Sequence, residues 1–310
     1  MIFDSESVFE ENVITVLKQH GWKDGVLRYP TEQDLLDNWK GILYRNNNDI
    51  DRLGKYPLTD GEMTQIIEQI ETLRTPLALN SFVNGRTVSI TRDNKEDVAH
   101  FGKEVSLYIY DRKEIAGGKS TYQIAQQPVY PAKNKMLNSR RGDLVLLING
   151  MPLIHIELKK SGIPVSQATN QIEKYTHEGV FTGLFRLVQI FVAMNPDDAV
   201  YFANPGVDKF NPSYYFHWAD YNNEPICGGQ NPGKDEWKLF IGGTSGTAGL
   251  LSIPMAHQLI GFYTIADSAD GCLKVLRSYQ YIAANAISDV VRKCDWEQRP
   301  TTPGRPGGYV

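Results

Sequence analysis

Cysteine is almost missing from this chain: Cys227, Cys272 and Cys294 are the only three, and no two stand at a close spacing. That pattern offers no disulfide framework and no zinc site, and free thiols in a reducing cytoplasm are expected. Histidine is sparse too, and His155, His177 and His217 stand singly, so a satisfied structural role is expected for each. No apolar run reaches the length of a membrane span, and the first residues, Met-Ile-Phe-Asp-Ser-Glu6, lack the basic start of a signal peptide. No membrane partner is expected. A basic excess is absent as well: the formal net charge is −4, so any contact with nucleic acid must draw on locally concentrated cations. A phosphate-binding loop of the form Gly-x4-Gly-Lys-Ser/Thr does not occur either. Gly117-Gly-Lys-Ser120 lacks its first glycine and leads into a strand, so it is read as a hairpin turn.

What is present is an ordinary globular composition, 41% hydrophobic and 22% charged over 310 residues, enough for one large domain or two modest ones. The organising stretch is Arg141 to Tyr175. The apolar run Leu144 to Ile148 and the run Leu153 to Lys159 flank Asn149-Gly150, the strongest short-range signal for a hairpin. In the second strand Ile154, Ile156 and Leu158 alternate with His155, Glu157 and Lys159, which predicts a core face and a polar face. A strict two-residue turn would set Asp143 opposite Ile156, on the wrong face. A three-residue loop, or one bulge near Pro152, sets it opposite Glu157, and this second register is the expectation. Two carboxylates and a lysine at the root of a hairpin suit a hard divalent cation, since Mg²⁺ takes one or two carboxylates and keeps several waters. Solvated charges on a surface hairpin are the plainer alternative.

Further along, Ser166 is expected to cap a helix in which Gln171 and Tyr175 share one side at i and i+4. The combined pattern, Arg-Gly-Asp143, Glu157-Leu-Lys159 and Gln171-x-x-x-Tyr175, resembles the PD-(D/E)xK nucleases that carry a Gln-x-x-x-Tyr helix. More closely, Asn149-Gly-Met-Pro-Leu153 leading into Ile156-Glu-Leu-Lys-Lys160 is similar to the amino-terminal nuclease of the restriction (R) subunit of type I restriction-modification enzymes.

The resemblance implies an α/β fold, a mixed central sheet flanked by helices, and an Mg²⁺-dependent endonuclease acting on double-stranded DNA. Asp143, Glu157 and the Leu158 carbonyl would hold the metal, with Lys159 on the nucleophile or the transition state. Gln171 and Tyr175 would orient the lysine or the scissile phosphate. An acidic residue of the first helix would lean toward the metal: Glu10 is the first candidate, with Glu6 and Glu11 as alternatives. The position before Asp143 is Gly where the named motif has Pro. Arg140, Arg141, Lys160, Lys133 and Lys135, with Lys159, cluster around the site and would meet phosphates. Methyltransferase and specificity subunits are the implied partners, and nothing in the sequence looks like a base-reading element.

Elsewhere, Ser7-x-x-Glu10 is read as a capping box opening the first helix, and helices are expected at Glu32 to Leu43, Gly61 to Leu73 and Ile253 to Ile265. Strands are expected at Thr87 to Thr91, Val105 to Tyr110, Tyr122 to Tyr130, Val188 to Met194, Ala199 to Ala203 and Tyr214 to Trp218. The nuclease domain is placed at residues 1–262. Residues 263–310 are read as a linker and the truncated start of a helicase-type motor, because Arg277, Tyr279 and Gln280 resemble the adenine-reading Q motif of superfamily 2 helicases. ATP would then serve the longer subunit only. A stand-alone repair or phage nuclease, and a catalytically silent DNA-docking module, are the rival readings.

Overall fold

The computed structural model describes residues 2–115, 117–131, 140–207, 209–229 and 235–293. In chain order the elements are α1 (Glu6–Gln19), β1 (Val26–Arg28), α2 (Glu32–Asn46), α3 (Asp60–Thr72), α4 (Pro76–Asn84), β2 (Thr87–Thr91) and β3 (Glu104–Tyr108). The central part follows with β4 (Tyr122–Gln126), β5 (Leu144–Ile148), β6 (Met151–Leu158), α5 (Val165–His177), β7 (Ile190–Met194) and β8 (Ala199–Ala203). The chain then forms α6 (Glu236–Gly242), α7 (Met255–Phe262), β9 (Thr264–Asp267), β10 (Cys272–Val275) and α8 (Ser278–Lys293).

The first four helices begin where small polar side chains satisfy their free N–H groups. Thr31 and Thr59 form full capping boxes with Asp34 and Glu62. Thr75 caps α4, whose first residue, Pro76, loses nothing by lacking an N–H there. The first helix corrects the sequence reading: its cap is Ser5, which accepts from Val8 N, so Glu10 is not consumed by a capping box at Ser7. Helix α5 corrects it again, starting at Val165 behind Pro164 with no side-chain cap, and leaving Ser166 inside the first turn.

Six strands form one mixed sheet in the order β1-β4-β5-β6-β7-β8. β4, β5 and β6 are antiparallel neighbours, β6 and β7 run parallel, and β7 and β8 antiparallel. All residues of β4 through β8 are buried, so the sheet is covered on both faces. The polar face of β6 is therefore no solvated surface. His155 and Glu157 pair with Phe191 and Ala193, which belong to a small apolar cluster with Ala168 and Ile172 of α5. The opposite face, with Ile154, Ile156 and Leu158, joins the main core, which also takes in Phe9, Val13 and Leu17 of α1 and Trp237 of α6.

Several boundaries moved for identifiable reasons. β3 pairs with β2 in a separate ribbon while β4 joins the main sheet, so the segment around Gly117-Gly118 crosses between sheets and is not a hairpin turn. Helix α4 (Pro76–Asn84) lies where no helix was expected. Tyr214 to Trp218 holds a short 3-10 turn and a single bridge from Phe216 to Tyr201 in place of a strand. Beyond residue 262 the β9–β10 ribbon sends Leu273 and Val275 into the main core, and Tyr201 Oη donates to Leu276 O at 2.8 Å. Among the described residues no helix is long and apolar enough to cross a membrane.

Candidate active site

The hairpin β5–β6 sets the site. Asn149 and Gly150, both at positive φ (52° and 84°), make a two-residue turn that pairs Ile148 with Met151. Glycine is needed at 150 for a second reason, since a Cβ there would sit 2.8 Å from the Trp39 backbone. Alone, that turn would put Asp143 on the wrong face. The register then shifts: Leu147 pairs with Pro152, Leu146 with Ile154, and Leu144 with Ile156, leaving Leu153 as the extra residue. The expected bulge near Pro152 is present, and Pro152 occupies the strand position where its missing N–H is tolerated. Continuing the ladder brings Asp143 level with Glu157.

Asp143 is anchored there. Its Oδ2 accepts from Leu158 N at 2.6 Å, and its carbonyl accepts from Gln127 N at 2.7 Å. Glu157 is fully buried, and among the described residues neither carboxylate oxygen has a hydrogen-bond partner. Burial raises both carboxyls: Glu157 is pushed up to about 8, with Lys159 opposing, and Asp143 goes well above its ordinary range, with Glu157 adding repulsion. Lys159 Nζ donates to Leu158 O at 3.0 Å and stands 3.6 Å from Glu157 Oε1 and 3.6 Å from Glu6 Oε1.

The first helix contributes two acidic side chains with different surroundings. Glu10 is buried and accepts from Gln126 Nε2 at 2.5 Å and Gln127 Nε2 at 3.2 Å, while burial raises its carboxyl. Glu11 is drawn off into an exposed ion pair with Arg28 at 2.7 Å. Of the three candidates, Glu6 reaches the lysine and Glu10 reaches the two glutamines beside Asp143.

Gln171 and Tyr175 do share a side of α5, and they bond to each other: Gln171 Nε2 donates to Tyr175 Oη at 2.6 Å. Tyr175 Oη in turn donates to Arg141 O at 3.0 Å. The pair therefore holds the chain two residues before Asp143, and among the described residues no hydrogen bond joins it to Lys159. Burial, with Glu157 nearby, pushes the Tyr175 hydroxyl up to about 12, so it stays a donor.

The expected basic cluster is only partly free. Arg140 makes a two-pronged pair with Glu178, at 2.9 and 3.0 Å. Lys160 Nζ donates to Asp4 O at 3.4 Å, and Arg141 is exposed, with its guanidinium 5.8 Å from the Tyr29 ring centre. Lys133 and Lys135 lie outside the described residues. Arg140, Gln167, Asn170, Gln171, Lys174 and Tyr175 line an open groove of about 340 Å³ along α5. Arg277, Tyr279 and Gln280 line a separate cavity of about 370 Å³ at the β9–β10 ribbon. There Arg277 lies over the Phe216 ring, and Gln280 Oε1 accepts from Arg277 N at 2.9 Å.

Sequence reasoning missed the surroundings of Glu157. His155 Nε2 is 3.3 Å from Glu157 Oε2, and its Nδ1 is 2.9 Å from Tyr130 Oη. Burial pushes the imidazole down to about 4, so it is neutral. Its place two residues before Glu157 on one strand face was a signal. Nothing in the sequence pointed to Tyr130.

A mixed sheet with two acidic side chains and a lysine at the root of a central hairpin is the frame of a nuclease-like α/β domain. The chain belongs to the family described as the type I restriction enzyme R protein N terminus, whose model it matches over residues 4–210. It is 29% identical over 295 residues to a type I restriction enzyme endonuclease subunit of Staphylococcus saprophyticus, covering 93% of this chain and 27% of that one. A Staphylococcus aureus subunit of the same description is 29% identical over 289 residues, again 93% of this chain and 27% of its own. The EcoprrI endonuclease subunit of Escherichia coli is 28% identical over 296 residues, 92% of this chain and 82% of its own. The chain thus spans about a quarter of the staphylococcal relatives it matches.

Proposed function

We propose that this chain is a PD-(D/E)xK endonuclease that hydrolyses phosphodiester bonds of double-stranded DNA with Mg²⁺. The observation that carries the reading is the pair of half-buried Asp143 and fully buried Glu157, brought level by the Leu153 bulge beside Lys159. Two raised carboxyls, with both oxygens of Glu157 lacking a hydrogen-bond partner among the described residues, form a site that gains from a divalent cation. Among the described residues no group of three or more His, Cys, Asp or Glu side chains is arranged to hold a metal. The donor set is instead two carboxylates and the Leu158 carbonyl, which suits an ion that keeps several waters. Bound there, Mg²⁺ would supply charge to the phosphoryl oxygen and acidity to a water molecule.

The protein's own groups do the rest. Lys159 places its ammonium beside Glu157, where charge builds on the reacting phosphate. Gln171 and Tyr175 fix the Arg141 carbonyl and hence the approach to Asp143. The groove along α5 offers Lys174 and several amides to the DNA backbone.

For the whole protein we propose the R subunit of a type I restriction complex, working with methyltransferase and specificity subunits. Residues 263–310 would open an ATP-driven motor, in which Arg277, Tyr279 and Gln280 contact adenine. The reading is tested by nicking of plasmid DNA with Mg²⁺ and with EDTA, for the wild type and for Asp143→Ala, Glu157→Ala and Lys159→Ala. Mg²⁺-dependent cutting that survives any of these substitutions sinks the mechanism.

A further inference from the structure

Glu157 does not sit alone. On its own strand and its own face, His155 is completely buried, and its Nε2 lies 3.3 Å from Glu157 Oε2 without the alignment of a hydrogen bond. Both groups are orphans: neither His155 Nε2 nor either oxygen of Glu157 has another hydrogen-bond partner among the described residues. Buried polar atoms left unpaired cost about 1–3 kcal/mol each, so two orphans facing one another ask for a reason. A ring that served packing alone would be better replaced by phenylalanine.

The rest of the pocket fixes this ring in place. Tyr130, also completely buried, bonds Nδ1 through its hydroxyl at 2.9 Å. Phe181 and Phe191 close the sides, with ring centres 5.4 and 6.0 Å away. The backbone beside Asp143 gives way to make room. A Cβ on Gly142 would lie 2.4 Å from Tyr130 Oη and 2.8 Å from His155 Cε1. The residue before one carboxylate is thus kept bare so that an imidazole can stand behind the other. A Tyr130 hydroxyl that donates to Nδ1 leaves the single N–H of a neutral imidazole on Nε2, the nitrogen 3.3 Å from Glu157 Oε2.

We propose that His155, held by Tyr130, is a positioning residue that orients the Glu157 carboxylate for a divalent cation. Because the inference rests on the nuclease reading, its test must separate the two. The first measurement is calorimetric titration of the full chain with Mn²⁺ as the probe, comparing wild type, Glu157→Gln, His155→Phe, His155→Gln and Tyr130→Phe. His155→Phe keeps the ring and the packing but removes both nitrogens. Loss of a group that holds a metal ligand typically weakens metal affinity or activity 10–100-fold. His155→Phe is expected to bind Mn²⁺ about 10–100-fold more weakly while its thermal unfolding stays at or above that of the wild type. His155→Gln, whose amide nitrogen reaches the Nε2 position, is expected to recover part of that loss, and Tyr130→Phe to show a smaller loss. In the nicking assay kcat should fall more than KM for DNA changes, since His155 and Tyr130 do not line the groove along α5 and meet it through the Tyr175 ring.

Should His155→Phe fail to fold, His155→Gln and Tyr130→Phe decide the matter: both binding Mn²⁺ as the wild type does would overturn the proposal. Wild-type affinity in a folded His155→Phe does the same while leaving the nuclease reading standing. A wild type that neither binds Mn²⁺ nor cuts DNA removes that reading and the role of His155 with it.

Discussion

Leu158 N donates to Asp143 Oδ2 at 2.6 Å, so a carboxylate at the root of β5 is tied to the backbone of β6 between Glu157 and Lys159. That bond fixes Asp143, whereas among the described residues neither oxygen of Glu157 has a hydrogen-bond partner. The two acidic groups are therefore unequal: Asp143 is positioned by the main chain, and Glu157 by what surrounds it.

Glu157→Gln should stabilise the metal-free protein, increasingly so as pH rises. The folded carboxyl, at about 8, lies above its ordinary 4.5, so the unfolded chain sheds that proton first. Its contribution to stability falls between about pH 4.5 and 8 and is level above that. The amide removes the slope, with a gain on the order of a few kcal/mol at pH 9. Thermal unfolding in EDTA across pH 5 to 9 checks this; an equal Tm difference at both ends would contradict it.

Binding of Mg²⁺ or Mn²⁺ at pH 7 should release about one proton, because a raised carboxyl must ionise to serve as a ligand. Affinity should climb with pH up to about 8 and then level off. Calorimetry in two buffers of different ionisation enthalpy reads the proton count directly. A metal-binding enthalpy independent of buffer would refute it.

Gly142→Ala should cost about 1–3 kcal/mol, the usual range for overpacking. Its new methyl group has nowhere to go but against Tyr130 and His155. Denaturant titration gives the stability, and the same variant should lose metal affinity beyond what the lower stability explains at temperatures where it is folded. A neutral substitution would show that the pocket is looser than it looks.

Arg140→Ala should weaken DNA binding less than Arg141→Ala. The first guanidinium is already committed to Glu178 by two hydrogen bonds, while the second is exposed. Glu178→Gln should tighten binding by freeing Arg140, and should steepen the salt dependence by up to about one counterion. Fluorescence titrations at several salt concentrations decide; a larger loss for Arg140 would mean that the ion pair opens to meet phosphate.

Much of this site was legible because it is local in sequence. Strand alternation placed Glu157 and Lys159, turn chemistry placed Asn149-Gly150, and parity alone required an extra residue before Asp143 could meet Glu157. What escaped depends on distant packing. The cap at Ser5 and the one imagined at Ser7 are both good local chemistry, and the burial of Phe9 and Val13 decides between them. Helix α4 was not expected, although Thr75 caps it and Pro76 suits its first turn. The burial of β6 on both faces came from α5, which the alternation of β6 alone could not reveal. Ion pairs such as Arg140 with Glu178 join residues 38 apart and leave no pattern.

The displaced residue Leu153 divides the hairpin into two regimes of tolerance. Toward the tip, changes of length are absorbed: removing Leu153 would let Pro152 and Ile154 follow one another opposite Leu147 and Leu146, and every pairing nearer the root would survive. Toward the root, between Ile154 and Glu157, no such slack exists, and one inserted residue would turn the carboxylate into the apolar core beneath the sheet. The tip of this hairpin tolerates a change of length but keeps Asn149 and Gly150 against Thr121, Ile109 and Trp39, while its last four rungs must be kept by count as well as by kind.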